Sequence, residues 1–355
     1  MEDKKILKKK LIFLISKPLT QRDFIRFNFE YLKKFWNIKV ILISKNKFNK
    51  NIYYKFFNKN GFFIDLSYPS WDSLQIQKIL KKRNYKKIKI LFSDIPSSKK
   101  NYLEILNFRY FNFFNLFKKL FIIYYQRVIP IPDIVFCCGI KSYNLWKKRK
   151  IKKVYRSISF DMSISKISKK YNKKYYIFLC QNFFENIENN LIHKKRYNFN
   201  EYWNPLIKFS NYIKKKTKHN LIFLAHPDGK KKNFPKGIDV IFNNTNKYIK
   251  QSKIIFAHDS TALQMGVIYK KPITHITTNY LKNDLLRDKY IKDFAKELGN
   301  SILNIDDVKK LNQLKLDKLK INKNKYKKYM KNFIMATKSH KNIWKNFNLK
   351  ILNTK

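Results

Sequence analysis

Two short stretches of this 355-residue chain bring chemically able side chains close together: Ala225-His226-Pro227-Asp228-Gly229 and His258-Asp259-Ser260-Thr261-Ala262. Each follows an apolar run, Leu221–Leu224 or residues 253–257, that reads as a buried strand. Both motifs therefore leave the carboxyl ends of strands, where doubly wound sheets bind ligands. Ser260 is placed to cap a helix over residues 261–269, which Lys271-Pro272 stops. Such a helix start offers unpaired N–H groups, two hydroxyls and a positive dipole end, a seat for phosphate. Capping alone also accounts for Asp259 and Ser260, and a lysine run at 230–232 would by itself be a solvated loop. The nearness of His226 and that lysine run favours an anionic ligand. The window 225–275 also holds three of the six histidines, three of the six glycines and three of the five alanines, in a chain otherwise drifted towards Lys, Asn and Ile.

The elements that must position these motifs follow from the hydrophobic pattern. Apolar runs at 11–15, 40–43, 62–66, 88–92 and 134–138 are continuous rather than alternating and are separated by helical periods, as in a parallel sheet covered on both faces. In a helix over 23–35, Phe24, Phe27, Tyr31 and Phe35 recur at helical spacing; further helical segments are expected over 74–82 and 102–120. A second series runs through 175–179, 221–224, 238–242, 254–257 and 273–277, with the stretch 181–204 reading as a polar loop. The expected organisation is α/β, with two Rossmann-like parallel-sheet domains facing a cleft: 1–165, 166–320, and a basic amphipathic helical tail over 321–355. Tyr329, Phe333, Ile334, Trp344 and Phe347 are the expected packing face of that tail.

The sequences LIFLAHP (221–227), TNKYIKQSKIIFAHDSTALQMGVIYKKPITHIT (245–277) and LIFLISKPLTQRDFIRFNFEYL (11–32) resemble bacterial surface-carbohydrate glycosyltransferases of GT-B architecture, those that build capsule and lipopolysaccharide. A His-Pro pair followed by a Ser/Thr pair at a helix start is also similar to the nucleotide-binding motifs of bacterial sialyltransferases. The resemblance implies transfer of a sugar from a nucleotide-sugar donor to a surface-polysaccharide or lipopolysaccharide acceptor. It implies donor binding by His226, Pro227, His258, Asp259, Ser260 and Thr261, without a metal and with no cofactor beyond the nucleotide-sugar substrate. In the family pattern an arginine commonly follows the His-Pro pair, whereas Asp228 stands there in this chain. The acceptor, a carbohydrate or glycolipid, is then expected at the first domain, where Arg22 and Arg26 lie four apart on one helix face. Asp23 is the candidate catalytic base, since inverting transfer needs a carboxylate or imidazole to take the acceptor proton. A carboxylate in the first helical turn also simply suits the dipole.

Other readings are narrowed by composition. Lysine and arginine number 79 against 23 acidic residues, a formal charge of +56. A basic nucleic-acid-binding protein is therefore an alternative. Only nine of those cations are arginine, the residue favoured for base readout and bidentate phosphate grips. The abundance of Lys, Asn, Ile, Phe and Tyr matches A/T-rich codons, so the charge reads mainly as genome bias and no specific nucleic acid is expected. A metal-dependent sugar deacetylase or phosphohydrolase is a further alternative. The stretch AHPD resembles the His-Pro-Asp-Asp-Glu motif of zinc-dependent de-N-acetylases, but Gly229 and Lys230 replace its two later acids. Three cysteines do not make a disulfide framework, and no run approaches the ~20 apolar residues of a membrane span. The start, MEDKKILKKKLIFLIS, imitates a signal peptide, yet Lys17-Pro18 follows where small residues would be needed. A cytoplasmic protein is expected, with peripheral contact at an anionic membrane face as the functional use of any excess lysine.

Overall fold

The computed structural model describes residues 8–43, 60–96, 121, 124–125, 127–149, 151–165, 174–184, 197–227, 229–337 and 342–353. Asp228 and the helix expected over 102–120 lie outside the described residues. The chain divides into two compact units. One comprises Met1–Phe92, Arg109–Ser163 and Met335–Lys355; the other comprises Ser93–Phe108 and Ile164–Ile334.

The first unit holds β1 (Lys10–Ile15), α1 (Gln21–Phe27), α2 (Phe29–Lys33), β2 (Asn37–Leu42), β3 (Gly61–Leu66), α3 (Trp71–Lys82), β4 (Tyr85–Ile90), β5 (Ile134–Cys137), α4 (Ile140–Lys148), β6 (Lys153–Arg156) and α5 (Phe160–Ile164). Its six strands form one parallel sheet in the order β2-β1-β3-β4-β5-β6. Strand β1 is buried on both faces, which is why it reads as an unbroken apolar run. Ile12 and Leu14 join Phe63 and the α3 residues Ile76, Ile79 and Leu80 in one cluster. Phe13 meets the rings of Phe27, Phe29 and Trp344, the last from a C-terminal helix, Ile343–Leu352. All five expected packing residues of the tail are buried.

The helix expected over 23–35 is broken. Asn28 takes a left-handed conformation (φ 46°) that ends α1 and starts α2, a geometry Asn tolerates better than other non-glycine residues. The break buries Phe27, Phe29 and Leu32 and leaves Phe24 and Phe35 exposed. Lys87 and Asp65 are both largely buried in this unit. The Lys87 ammonium meets Asp65 at 3.4 Å and donates to the Gln77 amide oxygen at 2.5 Å. Burial is the main reason its pKa drops to about 8.

The second unit holds β7 (Tyr175–Leu179), α6 (Phe199–Thr217), β8 (Leu221–Leu224), β9 (Asp239–Ile241), α7 (Thr245–Lys250), β10 (Ser252–Ala257), α8 (Leu263–Ile268), β11 (Ile273–Thr277), α9 (Asn279–Lys282), α10 (Leu285–Leu298), β12 (Ile302–Asn304), α11 (Val308–Asn312) and α12 (Lys323–Tyr329). Its parallel sheet runs β12-β11-β10-β7-β8-β9. The chain thus builds outward from β7 in one direction, returns, and builds outward from β10 in the other, the 3-2-1-4-5-6 order of dinucleotide-binding sheets. The topological switch point lies between β7 and β10.

Residues 199–204, expected in a loop, form the first turns of α6, capped by Asn198. This helix buries Tyr202, Trp203, Leu206, Phe209 and Ile213 along one face, against Phe178, Phe223 and Phe256 of the sheet. Pro205 lies in the second turn, where it removes the N–H that would otherwise donate to the Glu201 carbonyl. On α8, Gly266 has a packing reason. A Cβ there would lie 2.7 Å from Ile255 Cδ1 and 3.1 Å from Ile273 Cδ1, so a larger residue would have to push aside the tips of two isoleucine side chains on β10 and β11.

Candidate functional site

In the second unit the switch point is lined by the residues leaving β7, Cys180 to Phe183, and those leaving β10, His258 to Ala262. His226 and Pro227 leave the neighbouring β8 and are exposed. The sequence motifs are therefore brought to one edge of one sheet.

The helix expected over 261–269 is shorter, starting at Leu263 with Ala262 as its N-cap. The preceding turn is tight. Leu263, Gln264 and Met265 donate their N–H groups three residues back, to the carbonyls of Ser260, Thr261 and Ala262 (3.0–3.1 Å). The Ser260 hydroxyl takes the Ala262 N–H at 3.3 Å. Ser260 thus caps a turn rather than a long helix. Among the described residues the N–H groups of Ser260 and Thr261 have no acceptor. These two donors and their hydroxyls, rather than a helix dipole, are the candidate anion-binding feature.

His258 is fully buried, and its Nδ1 lies 2.8 Å from the Ile276 carbonyl oxygen, so this nitrogen carries the proton and donates. His275 is held in the same way by the His258 carbonyl, also at 2.8 Å. Burial lowers both pKa values to about 4, outweighing the carbonyl bonds that favour the charged form. Each is a neutral imidazole with its only N–H committed. In this tautomer His258 has no second N–H to offer a ligand, and its edge-on contact with Phe178, 5.1 Å between centroids, is that of a core ring.

Asp259 is engaged by a residue that the sequence reading did not single out. The Arg287 Nη1 donates to Asp259 Oδ2 at 2.6 Å, both side chains being buried. Arg287 is positioned by its own helix start: Asp284 caps α10, its Oδ1 accepting the Arg287 N–H at 3.1 Å, while its Oδ2 accepts from the Tyr197 hydroxyl at 2.6 Å. The guanidinium lies 4.7 Å from the Phe183 ring centroid. Burial opposes its charge, but Asp259 and Tyr197 outweigh that and hold its proton more tightly than in free arginine. The scarcity of arginine, applied to Arg22 and Arg26, was the signal that would have found Arg287 as well.

In the first unit, Asp23 closes a capping box. Its Oδ2 accepts from the Thr20 N–H at 3.0 Å and the Thr20 hydroxyl at 2.7 Å, and the Thr20 oxygen accepts the Asp23 N–H at 3.4 Å. The Arg26 guanidinium rests on aromatic faces, 4.5 Å from the Phe92 centroid and 5.4 Å from that of Phe160. Arg22 lies in α1. Among the described residues, no three His, Cys, Asp or Glu side chains gather as a metal-binding group.

No family model matches the chain, and no curated protein matches it in sequence. Solved structures do match in fold. A Listeria monocytogenes structure assigned as UDP-N-acetylglucosamine 2-epimerase superposes with a TM-score of 0.53 at 10% identity, covering 98% of each chain. The UDP-GlcNAc 2-epimerase of Methanocaldococcus jannaschii gives 0.51 at 10% identity, over 97% of this chain and 100% of that one. The calicheamicin glycosyltransferase CalG4 gives 0.50 at 7% identity, over 92% and 94%. The chain accordingly has a GT-B-type fold, two Rossmann-like α/β units each built on a six-stranded parallel sheet.

Proposed function

We propose that the chain is a nucleotide-sugar enzyme whose donor site is the carboxyl edge of the second sheet. Its activity in this reading is transfer of the sugar to a carbohydrate acceptor of the surface-polysaccharide or lipopolysaccharide type. The observation that carries it is the turn after β10. At the switch point of a 3-2-1-4-5-6 sheet, Ser260 and Thr261 present two N–H groups and two hydroxyls that no described residue uses as donors. Donors fixed before the reaction suit the negative charge that develops on a phosphate as a sugar leaves it, and they act without a metal. Lys230, Lys231 and Lys232, following the β8 motif, add positive charge on the same edge. Asp23 is the proposed base for the acceptor hydroxyl, and Arg22 and Arg26 the proposed acceptor contacts. A second reading is 2-epimerisation of a UDP-sugar, favoured by the near-complete coverage of the two epimerase structures.

Thermal unfolding with CMP, CDP, UDP, GDP and the matching nucleotide-sugars tests the donor site. At least one nucleotide is expected to raise Tm, and Ser260→Ala with Thr261→Ala is expected to abolish the rise while leaving the unliganded Tm close to wild type. Silence across the whole panel would sink the reading. Product analysis with the binding nucleotide-sugar then separates the two activities, since epimerisation needs no acceptor.

A further inference from the structure

Between His258 and His275 four buried side-chain atoms meet no hydrogen-bond partner: His258 Nε2, Asp259 Oδ1, Gln264 Oε1 and His275 Nε2. All four are acceptors. Each histidine has its proton on Nδ1, opposite a carbonyl, so Nε2 carries a lone pair. The Gln264 amide nitrogen donates to the Asp94 carbonyl, which leaves its oxygen as the unmatched atom. A set of lone pairs repels a phosphate and calls for O–H or N–H donors.

Asp259 stands apart from the other three. The other three belong to residues at 0% exposure; Asp259, at 7%, directly precedes Ser260 in the turn after β10, although its Oδ1 is itself closed to solvent. Its pairing with Arg287 is through one oxygen only. An Arg–carboxylate pair is frequently bidentate, yet here Nη1 takes Oδ2 and Oδ1 is left over. Arg287, fixed by the α10 cap and the Phe183 ring, holds the carboxylate in that orientation.

Building on the donor site proposed above, we propose that Asp259, oriented by Arg287, recognises a hydroxyl of the bound nucleotide-sugar. Its Oδ1 accepts from a ribose or sugar O–H, its Oδ2 stays with Arg287, and the phosphates are left to the Ser260–Thr261 turn. Arg287 is a positioning residue in this scheme and touches no ligand. A site built to accept from a hydroxyl discriminates against the analogue that lacks it, because its own buried acceptor is then stranded.

The experiment is calorimetric titration of wild type with UDP, CDP and GDP, their 2′-deoxy forms, UDP-N-acetylglucosamine and inorganic pyrophosphate. A ribose contact appears as about tenfold weaker binding of the deoxy form, and a sugar contact as about tenfold tighter binding of UDP-N-acetylglucosamine than of UDP. Asp259→Asn is expected to erase whichever preference is present and to leave pyrophosphate binding unchanged. Should the single variant unfold because Arg287 is left unpaired, Asp259→Asn with Arg287→Met strands no charge and makes the same comparison. Arg287→Lys, which keeps the charge, is expected to retain the preference in part. A preference preserved in the Asp259 variants, or a wild type indifferent to every hydroxyl, overturns the inference while leaving the donor site standing. A wild type that binds none of these compounds overturns both.

Discussion

His258 and His275 tie the stability of the second unit to acidity. Folded, they titrate near pH 4 instead of 6.5, with burial as the main cause. Between those values the unfolded chain binds more protons than the folded one. The stability these sites contribute is therefore complete above about pH 6.5 and is lost as pH falls through 4. Each site is worth on the order of 3 kcal/mol over that window. Urea unfolding between pH 7 and pH 4 is expected to show the loss, and His275→Asn to reduce the slope of stability against pH by about one proton. An unaltered slope would place the acid sensitivity elsewhere. The sequence offered His258, and not His275, as a phosphate neighbour, and scarcity and motif position mark a histidine without saying which way its ring faces. The Ile276 and His258 carbonyls decide that, and they come from chain neighbours across β10 and β11 that no local spacing reveals. Arg287 stayed hidden for the same reason, 28 residues from the carboxylate that it grips.

Among elements, the central strands were legible, as were two of the four edge strands, β2 and β9. Leu11–Ile15 and Ile177–Leu179 sit between neighbours and under cover on both faces, so burial writes itself into every position. The edge strands β6 (KVYR) and β12 (ILN) are short and polar enough to pass as loop, and both were missed. Helix boundaries depended on single residues: Asn28 in its left-handed turn, Asn198 ahead of Phe199, and Ala262 rather than Ser260 as cap. The α1 capping box offers a prediction at this scale. Asp23→Asn is expected to cost about 1 kcal/mol of stability through the cap. As the proposed base, Asp23 would also carry a 100- to 10,000-fold share of turnover, lost in the same variant with nucleotide binding unchanged. Turnover that survives intact would leave Asp23 as a cap alone.

At the scale of the whole molecule the charge of +56 is spread over a chain that also exposes Phe24, Ile25, Tyr68, Trp71 and Tyr124 in its first unit. Among the described residues no helix is long and apolar enough to cross a membrane. Exposed aromatic rings on a strongly basic chain, one of them, Tyr68, beneath the Lys17 ammonium, suit the surface of an anionic bilayer. Sedimentation with vesicles is expected to show binding to anionic and not to neutral lipid, weakening as salt rises; equal binding to both would remove a membrane role for the charge. The unit carrying these rings is assembled from three separate stretches of chain, and Trp344 and Phe347 fill its interior beside Phe13 and Phe136. During synthesis those two rings reach the outside of the ribosome only after every residue of the second unit has done so. The half of the molecule translated first is thus the half that must wait to close its core, and until then the apolar β1 is in the care of whatever shields nascent chains.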